Sequence, residues 1–300
     1  MGFLLVTPPI QRTFTADDVA SLDVRRWQLC TGWLDVVRKP AEAGKDWVLT
    51  LPFENSYANA FDVMCNTIAS RYVSPSGVLC LYLKNIGDAA GPPQEIHDWV
   101  ATVGKYVAMK DYLALSFALD YERQAGNPKN PQTQIGRLRT AAKPYGGAAA
   151  TATHLAAAGR LAEQLMIFLN EMTCYKSADC VVAMPPSDPA KAYNLLRVLA
   201  AEVAKAWGRE DLSASVVTAA VRSGLKNTPK ARKLETLRGT IVVDPHAFEG
   251  RNVLLVDDLY QSGMSMNYCA LLLLQAGAQK VYGLSCEKTC RNDGNLRDRQ

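Results

Sequence analysis

Two adjacent carboxylates, Asp257 and Asp258, are the residues whose types and spacing point most clearly to chemistry. They follow residues 253–256, four branched apolar side chains without polar alternation. Such a run predicts a strand buried on both faces, as in the middle of a parallel sheet. Open α/β sheets bind their ligands at the carboxyl ends of such strands. We therefore expect the carboxylate pair to contact the hydroxyl groups of a ligand.

A short turn follows the acid pair and opens an apolar helix that includes Leu271 and Leu274, with Gly277 suited to its end. The turn combines hydroxyl groups with a glycine: Gln261, Ser262, Gly263, Met264 and Ser265. A turn of this kind aims backbone N–H groups and a helix amino terminus at one point, which suits a phosphate. Carboxylates and a phosphate turn a few residues apart predict a site for a sugar phosphate.

This order of strand, acid pair and turn resembles the phosphoribosyl diphosphate (PRPP) motif of type I phosphoribosyltransferases. The usual turn in that family is Thr-Thr-Gly-Ala-Thr, so Gln261 replaces a hydroxyl residue and Met264 replaces a small one. Neither change removes a backbone N–H donor. The resemblance implies that Asp257 and Asp258 hold the ribose 2- and 3-hydroxyls and help to organise Mg²⁺. It also implies that residues 261–265 bind the 5-phosphate.

Other segments between residues 132 and 290 are similar to ComF-like (competence protein F-like) phosphoribosyltransferases. These segments are the run 139–146, the proline-rich turn 184–189, the Tyr193-Asn194 pair and a basic stretch before the acidic strand. The resemblance implies that a pyrophosphate group is bound by Pro186, Ser187, Arg222, Lys226, Arg232 and Lys233. ComF proteins usually carry a cysteine zinc ribbon ahead of the transferase domain, and this sequence has none. A role in DNA uptake is therefore not implied.

The basic stretch holds six Lys and Arg residues between positions 222 and 238, opposed by Glu235 alone. Burying cations without carboxylate partners is costly, so we expect these side chains to be solvated or to face an anion. Three interpretations are open: a loop in solvent, a mobile loop that closes over pyrophosphate, and a nucleic-acid surface. We favour the closing loop, which we expect to be mobile without ligand.

Strands and helices alternate through the second half of the chain. Predicted strands cover residues 180–184, 215–217, 240–243, 253–256 and 280–284, and predicted helices cover 147–172 and 195–207. This pattern predicts an α/β fold with a parallel sheet covered by helices, and the resemblance makes it type I phosphoribosyltransferase-like. We expect this domain to span residues 131–300, after a linker at 126–131.

Residues 1–130 are predicted to form a smaller N-terminal α/β domain of unknown role. Its predicted strands cover residues 47–51, 78–83 and 113–119, with helices at 58–70 and 96–107. A parallel sheet is one option for this domain. The acid pair and its turn have no second copy there, so the sequence does not indicate a tandem duplication.

Composition sets limits on the class of protein. The 300 residues are 48% hydrophobic and 21% charged, which is typical of a soluble globular protein. No apolar run is long enough for a membrane span, and residues 1–9 lack the pattern of a signal peptide. Eight cysteines without a Cys-x-x-Cys pair favour a reducing cytoplasm. The net charge of +4 does not favour a dedicated nucleic-acid partner, although such a partner is not excluded.

Two functions of different classes follow from these patterns. The first is a Mg²⁺-dependent enzyme that transfers the phosphoribosyl group of PRPP and releases pyrophosphate; its acceptor base cannot be read from the sequence. The second is a non-catalytic or hydrolytic regulator or effector that responds to PRPP, for example in a retron-like anti-phage system. For either function we expect a homodimer or a complex with a protein partner.

Overall fold

The computed structural model describes residues 9–22, 35–38, 47–83, 92–144, 148–222, 228 and 230–290. The strands in chain order are β1 (Asp35–Arg38), β2 (Trp47–Leu51), β3 (Ala69–Val73), β4 (Leu79–Leu83), β5 (Val107–Ala108), β6 (Leu115–Tyr121), β7 (Cys180–Ala183), β8 (Glu210–Asp211), β9 (Val216–Thr218), β10 (Ile241–Val243), β11 (Asn252–Tyr260) and β12 (Lys280–Lys288). The helices are α1 (Ala16–Ser21), α2 (Asn55–Met64), α3 (Gln94–Val103), α4 (Gln134–Ala141), α5 (Ala152–Glu171), α6 (Leu195–Trp207), α7 (Lys230–Leu237) and α8 (Met264–Gln275).

The central sheet has six strands in the order β5-β6-β12-β11-β7-β8. Its strands β6, β12, β11, β7 and β8 pair in parallel, and β5 pairs antiparallel with β6. The apolar side chains of β11 alternate between two buried clusters, with Leu254 and Val256 in one and Val253 and Leu255 in the other. The prediction of a strand buried on both faces is therefore confirmed, as is a mixed α/β fold.

Helices cover both faces of this sheet. Helices α5 and α6 bury Leu165 and Leu199 against one face, and α8 buries Leu273 on the other. Asn194 begins α6, because its side chain accepts a hydrogen bond from the backbone N–H of Leu196 at 3.0 Å. The helices predicted at 147–172 and 195–207 are thus confirmed within a few residues. No helix in the described ranges is both long enough and apolar enough to cross a membrane.

The amino-terminal strands form a separate four-stranded sheet in the order β1-β2-β4-β3. Every pairing in it is antiparallel, so the option of a parallel sheet is wrong. Leu49 of β2 lies opposite Leu81 of β4, and both side chains are fully buried. Alternate residues of β4 are buried, which gives this sheet one face toward the core.

The central sheet takes strands from both sides of residue 130. Strand β6 pairs in parallel with β12, with Phe117 opposite Leu284. The stretch expected to be a linker is a hydrogen-bonded loop: Arg123 and Gln132 form a bridge, and the Gln124 N–H donates to the carbonyl of Pro131 at 3.0 Å. A boundary at 130 would thus separate strands that share one sheet. Independent folding of residues 1–130 stays a prediction.

Two strands that the sequence assigned to the parallel sheet, at residues 215–217 and 240–243, lie outside it. Strands β9 and β10 pair with each other in an antiparallel ribbon outside the central sheet, with Val217 opposite Val242. The expectation that residues 215–217 and 240–243 belong to the parallel sheet is therefore wrong. Each strand has three residues, and the paired side chains Val217 and Val242 are exposed. Such short strands carry too little pattern to reveal which partner they choose.

Candidate ligand site

The acid pair lies in the last part of β11, which continues to Tyr260 rather than ending before the carboxylates. Val256 is the last residue of β11 paired with β7, so Asp257 and Asp258 lie beyond the end of that neighbouring strand. Asp258 is buried, with 8% of its surface exposed, and Asp257 is half-buried. The Asp258 N–H donates to Oδ1 of Asp257 at 2.8 Å. The pair therefore lies at the predicted sheet edge.

Two cations from one helical segment contact the same oxygen of Asp258. Nη1 of Arg139, in α4, lies 3.1 Å from Oδ2, and Nζ of Lys143, just beyond that helix, also contacts Oδ2. The helix begins at Thr133, whose side chain accepts a hydrogen bond from the Gly136 N–H. Sequence reasoning noted the run 139–146 but gave neither cation a role at the acid pair.

The two carboxylates of the pair differ in their electrostatic surroundings. Burial, together with the adjacent Asp258 carboxylate, raises the pKa of Asp257 to about 7. Burial alone would also raise the pKa of Asp258, but Lys143 and Arg139 outweigh it and hold this pKa below the usual range. At neutral pH Asp258 is therefore the firmly ionised member, and Asp257 is close to its titration point.

The end of β12 adds two buried ionisable residues. Glu287 is fully buried; its Oε1 contacts Nε of Arg139, while Oε2 has no hydrogen-bond partner among the described residues. Burial raises the pKa of Glu287 to about 7, against the opposing effect of Arg139. Lys288 is 2% exposed and donates to the carbonyl of Gln261 at 3.2 Å. Burial lowers the pKa of Lys288 to about 7.

The turn 261–265 has the shape that its sequence predicted. Gly263 has a φ of 73°, in the left-handed region, and α8 begins at the next residue, Met264. A Cβ atom on Gly263 would lie 2.1 Å from Oη of Tyr260, so only glycine fits. Ser262 and Met264 are buried, and Gln261 and Ser265 are half-buried. The turn therefore joins the acid pair directly to a helix amino terminus.

The proline-rich turn after β7 is held by Arg222. Nη2 of Arg222 donates to the carbonyl oxygens of Pro185 and Pro186 at 2.6 and 2.8 Å. The Arg222 N–H also donates to the carbonyl of Ser187 at 2.8 Å. Arg222 is 7% exposed. It is thus a buried support of the turn, not a cation of a solvated loop.

The remaining basic residues divide into different environments. Lys226 lies outside the described residues. Lys230–Leu237 form α7, where Arg232 is exposed and Lys233 is 1% exposed beside the buried Leu234. Burial lowers the pKa of Lys233 to about 8. The expectation that these cations are solvated is therefore wrong for Arg222 and Lys233, which are buried. Backbone carbonyls bind Nη2 of Arg222, although its buried Nε has no hydrogen-bond partner among the described residues. Lys233 lies on the packed face of a helix rather than in a loop.

A cleft of about 430 Å³ connects Asp258, but not Asp257, with the proline-rich turn. Its lining includes Asp258, Lys143, Pro186, Ser187, Lys191 and Tyr193. The carboxylate and the turn, predicted separately from the sequence, thus line one cavity. The residues of turn 261–265 do not line this cleft, and neither do Arg222, Arg232 or Lys233.

No protein-family model matches this chain, and neither does any curated protein sequence. The chemistry of the cleft therefore has to be inferred from its own residues.

The carboxylates suit a magnesium ion that arrives with a substrate. Among the described residues, no group of three or more His, Cys, Asp or Glu side chains is placed to hold a metal by itself. Mg²⁺ commonly takes one or two carboxylates and completes its shell with substrate phosphates and water. Asp258 lines the cleft and supplies one such carboxylate beside its two cationic partners, whereas Asp257 is not among the lining residues. The residues present thus fit Mg²⁺ bound jointly with a diphosphate.

Proposed function

We propose that this protein binds PRPP together with Mg²⁺ and transfers the phosphoribosyl group to an acceptor with release of pyrophosphate. One observation carries the proposal: Asp258 and the Pro186-Ser187 turn line the same cleft at the carboxyl edge of the central sheet. The strand that holds Asp258 leads directly into the glycine turn that starts α8. A sugar bearing phosphate groups at two ends needs such an arrangement.

Each part of PRPP has a counterpart in this arrangement. The ribose hydroxyls are assigned to Asp257 and Asp258, and the 5-phosphate to the backbone of residues 261–265. Pyrophosphate is assigned to Pro186 and Ser187, with Lys143 and Lys191 as cations in the same cleft. Bound Mg²⁺ would neutralise charge on the diphosphate leaving group.

Lys143 and Arg139 support this role of Asp258 rather than block it. A carboxylate has about four lone-pair positions, and the two cations contact only Oδ2. Neither cation uses Oδ1 of Asp258, so this oxygen can accept a hydrogen bond from a hydroxyl group. Because the cations keep Asp258 ionised, it remains an acceptor at neutral pH.

Transfer from PRPP passes through a cationic, oxocarbenium-like transition state. Such a reaction needs a held ribose and stabilised charge on the leaving group more than it needs a nucleophilic side chain. The six-stranded, mostly parallel sheet is compatible with a type I phosphoribosyltransferase-like fold, and we include that fold in the proposal.

A PRPP-responsive regulator is a second candidate, favoured by one observation. Arg139 joins Asp258 to Glu287 from α4, and α4 follows the loop closed by Arg123 and Gln132. A ligand that changes the charge around Asp258 would therefore act on a helix outside the cleft. In a regulator this helix would carry the signal to a partner.

The release of pyrophosphate from PRPP separates these functions. The parent and Asp257→Asn/Asp258→Asn are compared with and without a panel of nucleobases, and Asp244→Asn, an exposed acid on the ribbon side, is the control. Base-dependent release that the double variant loses supports transfer. Release without a base supports hydrolysis, and PRPP binding without release supports the regulator. Absence of both binding and release contradicts the proposal.

A further inference from the structure

We infer that Asp111 is a positioning residue for the phosphate turn and acts through Tyr260 and Asn267. The inference rests on the proposed function, because it assigns Asp111 to the phosphate end of that site. Asp111 lies between β5 and β6, in the segment whose role the sequence leaves open, and it is 4% exposed.

Both carboxylate oxygens of Asp111 accept hydrogen bonds. Oδ2 accepts from the Tyr260 hydroxyl at 3.0 Å and from Nδ2 of Asn267 at 3.4 Å. Oδ1 accepts from the backbone N–H of Leu113 at 3.2 Å. The hydrogen bond from Leu113 holds the Asp111 carboxylate against the backbone that follows it. Oδ2, the oxygen that accepts from Tyr260, therefore has a defined position.

Asn267 transmits this position to the carbonyl of Gly263. Its Nδ2 and its backbone N–H each donate to that carbonyl at 2.9 Å. Its Oδ1 accepts from the backbone N–H of Tyr112 at 3.0 Å, and the side chain is fully buried. Asn267 is thus held by residues 111 and 112 on one side, and it holds the centre of the turn on the other.

Tyr260 acts on the opposite side of the same glycine. Its hydroxyl lies where a Cβ of Gly263 would be, at 2.1 Å, so the phenol lies directly against the Cα of Gly263. The hydrogen bond to Asp111 keeps the phenol in this place. Gly263 is therefore fixed by Asn267 at its carbonyl and by Tyr260 at its Cα, and Asp111 is the shared partner of both.

The direction of the N–H groups that follow Gly263 depends on this fixation. These groups are the first donors of α8, which have no acceptor inside the helix. A phosphate needs them to converge on one point before it binds, because a loose turn would lose entropy on binding. Asp111 thus supports phosphate binding without contacting the phosphate.

The test compares two small ligands that report on different ends of the site. Calorimetry is performed with ribose 5-phosphate and, separately, with pyrophosphate and Mg²⁺, for the parent, Asp111→Asn and Tyr260→Phe. Loss of one charged hydrogen bond should lower the affinity for ribose 5-phosphate roughly five- to tenfold in each variant. Pyrophosphate affinity should stay within about twofold of the parent, because pyrophosphate is assigned to the turn after β7.

Tyr282→Phe is the matched control, since the Tyr282 hydroxyl bonds Ser177 at 2.8 Å, apart from the turn. It should bind both ligands like the parent. If a single variant fails to fold, Tyr260→Phe/Asp111→Asn removes the negative charge of Asp111 together with the hydroxyl donor that it would otherwise lack. The loss of binding free energy for ribose 5-phosphate in this double variant should be no larger than the sum of the losses in the two single variants.

Hydrogen exchange adds a readout that needs no ligand. The amides of residues 263–267 should exchange faster in Tyr260→Phe than in the parent, while β7 stays protected. Suppose that the parent binds ribose 5-phosphate and that the variants match it in both amide exchange and ribose 5-phosphate affinity. This result would overturn the inference about Asp111 but not the proposed function. Equal losses for both ligands would also overturn the inference, because they indicate general destabilisation. A parent that binds neither ribose 5-phosphate nor PRPP would overturn the proposed function as well.

Discussion

Nη1 of Arg139 lies 3.1 Å from Oδ2 of Asp258, the second carboxylate of the acid pair. The same guanidinium contacts Glu287 through Nε, so one side chain joins α4 to the ends of two neighbouring strands. Arg139 and Glu287 are 18% and 1% exposed at their side chains, which leaves little solvent to replace either partner. Arg139 is therefore central to both the stability and the electrostatics of the site.

Replacing Arg139 by methionine should lower the free energy of unfolding by about 3 kcal/mol or more, because the buried Glu287 loses its cationic partner and Asp258 loses one of its two. Urea unfolding measures the change. Arg139→Met/Glu287→Gln should recover part of the loss, because one stranded charge is removed with its partner. Arg137→Met, on an exposed position of the same helix, is the control. Equal stabilities of Arg139→Met and Arg137→Met would contradict this role.

The position of the acid pair was predictable, and its partners were not. Residues 253–256 are branched and apolar without alternation, and this local pattern was enough to place Asp257 and Asp258 at the carboxyl edge of the sheet, although β11 itself continues to Tyr260. Arg139 and Glu287 are separated by 148 residues, and no local pattern links them. Their contact depends on how α4 packs across the end of the sheet.

The burial of Arg222 shows why the charge argument failed for part of the basic stretch. That argument counted carboxylates as the only partners for a buried cation. Arg222 is instead bound by the carbonyl oxygens of Pro185 and Pro186. Carbonyls that face inward in a turn cannot be read from residue types, because they depend on the backbone conformation.

Lys143→Met should weaken PRPP binding about tenfold, because the cleft loses a cation that can face the diphosphate. The Lys143 side chain is 41% exposed, so its loss should change the stability little. Calorimetry with PRPP and Mg²⁺ gives the affinity, and thermal unfolding gives the stability. Lys205→Met, at an exposed position of α6, should match the parent. Unchanged PRPP affinity in Lys143→Met would remove this residue from the site.

Lys288→Met should change how stability depends on pH. Burial lowers the pKa of Lys288 to about 7, so above that pH the unfolded state binds this proton more tightly than the folded state. The unfolding free energy of the parent should thus rise between about pH 7 and 10, by up to about 1.4 kcal/mol per pH unit from this group. The variant should lack this rise. A parallel pH dependence in both proteins would show that Lys288 is not the source.

Arg222→Met should weaken the binding of pyrophosphate with Mg²⁺, because the carbonyl oxygens of Pro185 and Pro186 lose their shared donor. A buried hydrogen-bonded cation of this kind contributes roughly 1.5–3 kcal/mol, so the turn should also become less stable. Arg232→Met, which replaces an exposed arginine of α7, separates this effect from charge alone. If Arg232 belonged to a loop that closes over pyrophosphate, Arg232→Met would instead lower turnover. Equal pyrophosphate affinities of Arg222→Met and Arg232→Met would contradict the supporting role of Arg222.

Calorimetric titration of PRPP in the presence of Mg²⁺ tests the central claim most directly. The parent should bind PRPP with one site per chain, and Asp257→Asn/Asp258→Asn should lose most of that affinity while its thermal unfolding still shows a folded protein. The control Asp244→Asn, also an Asp-to-Asn change but outside the cleft, should bind like the parent. Undiminished PRPP binding by the double variant, or no PRPP binding by the parent, would contradict a PRPP site at the acid pair.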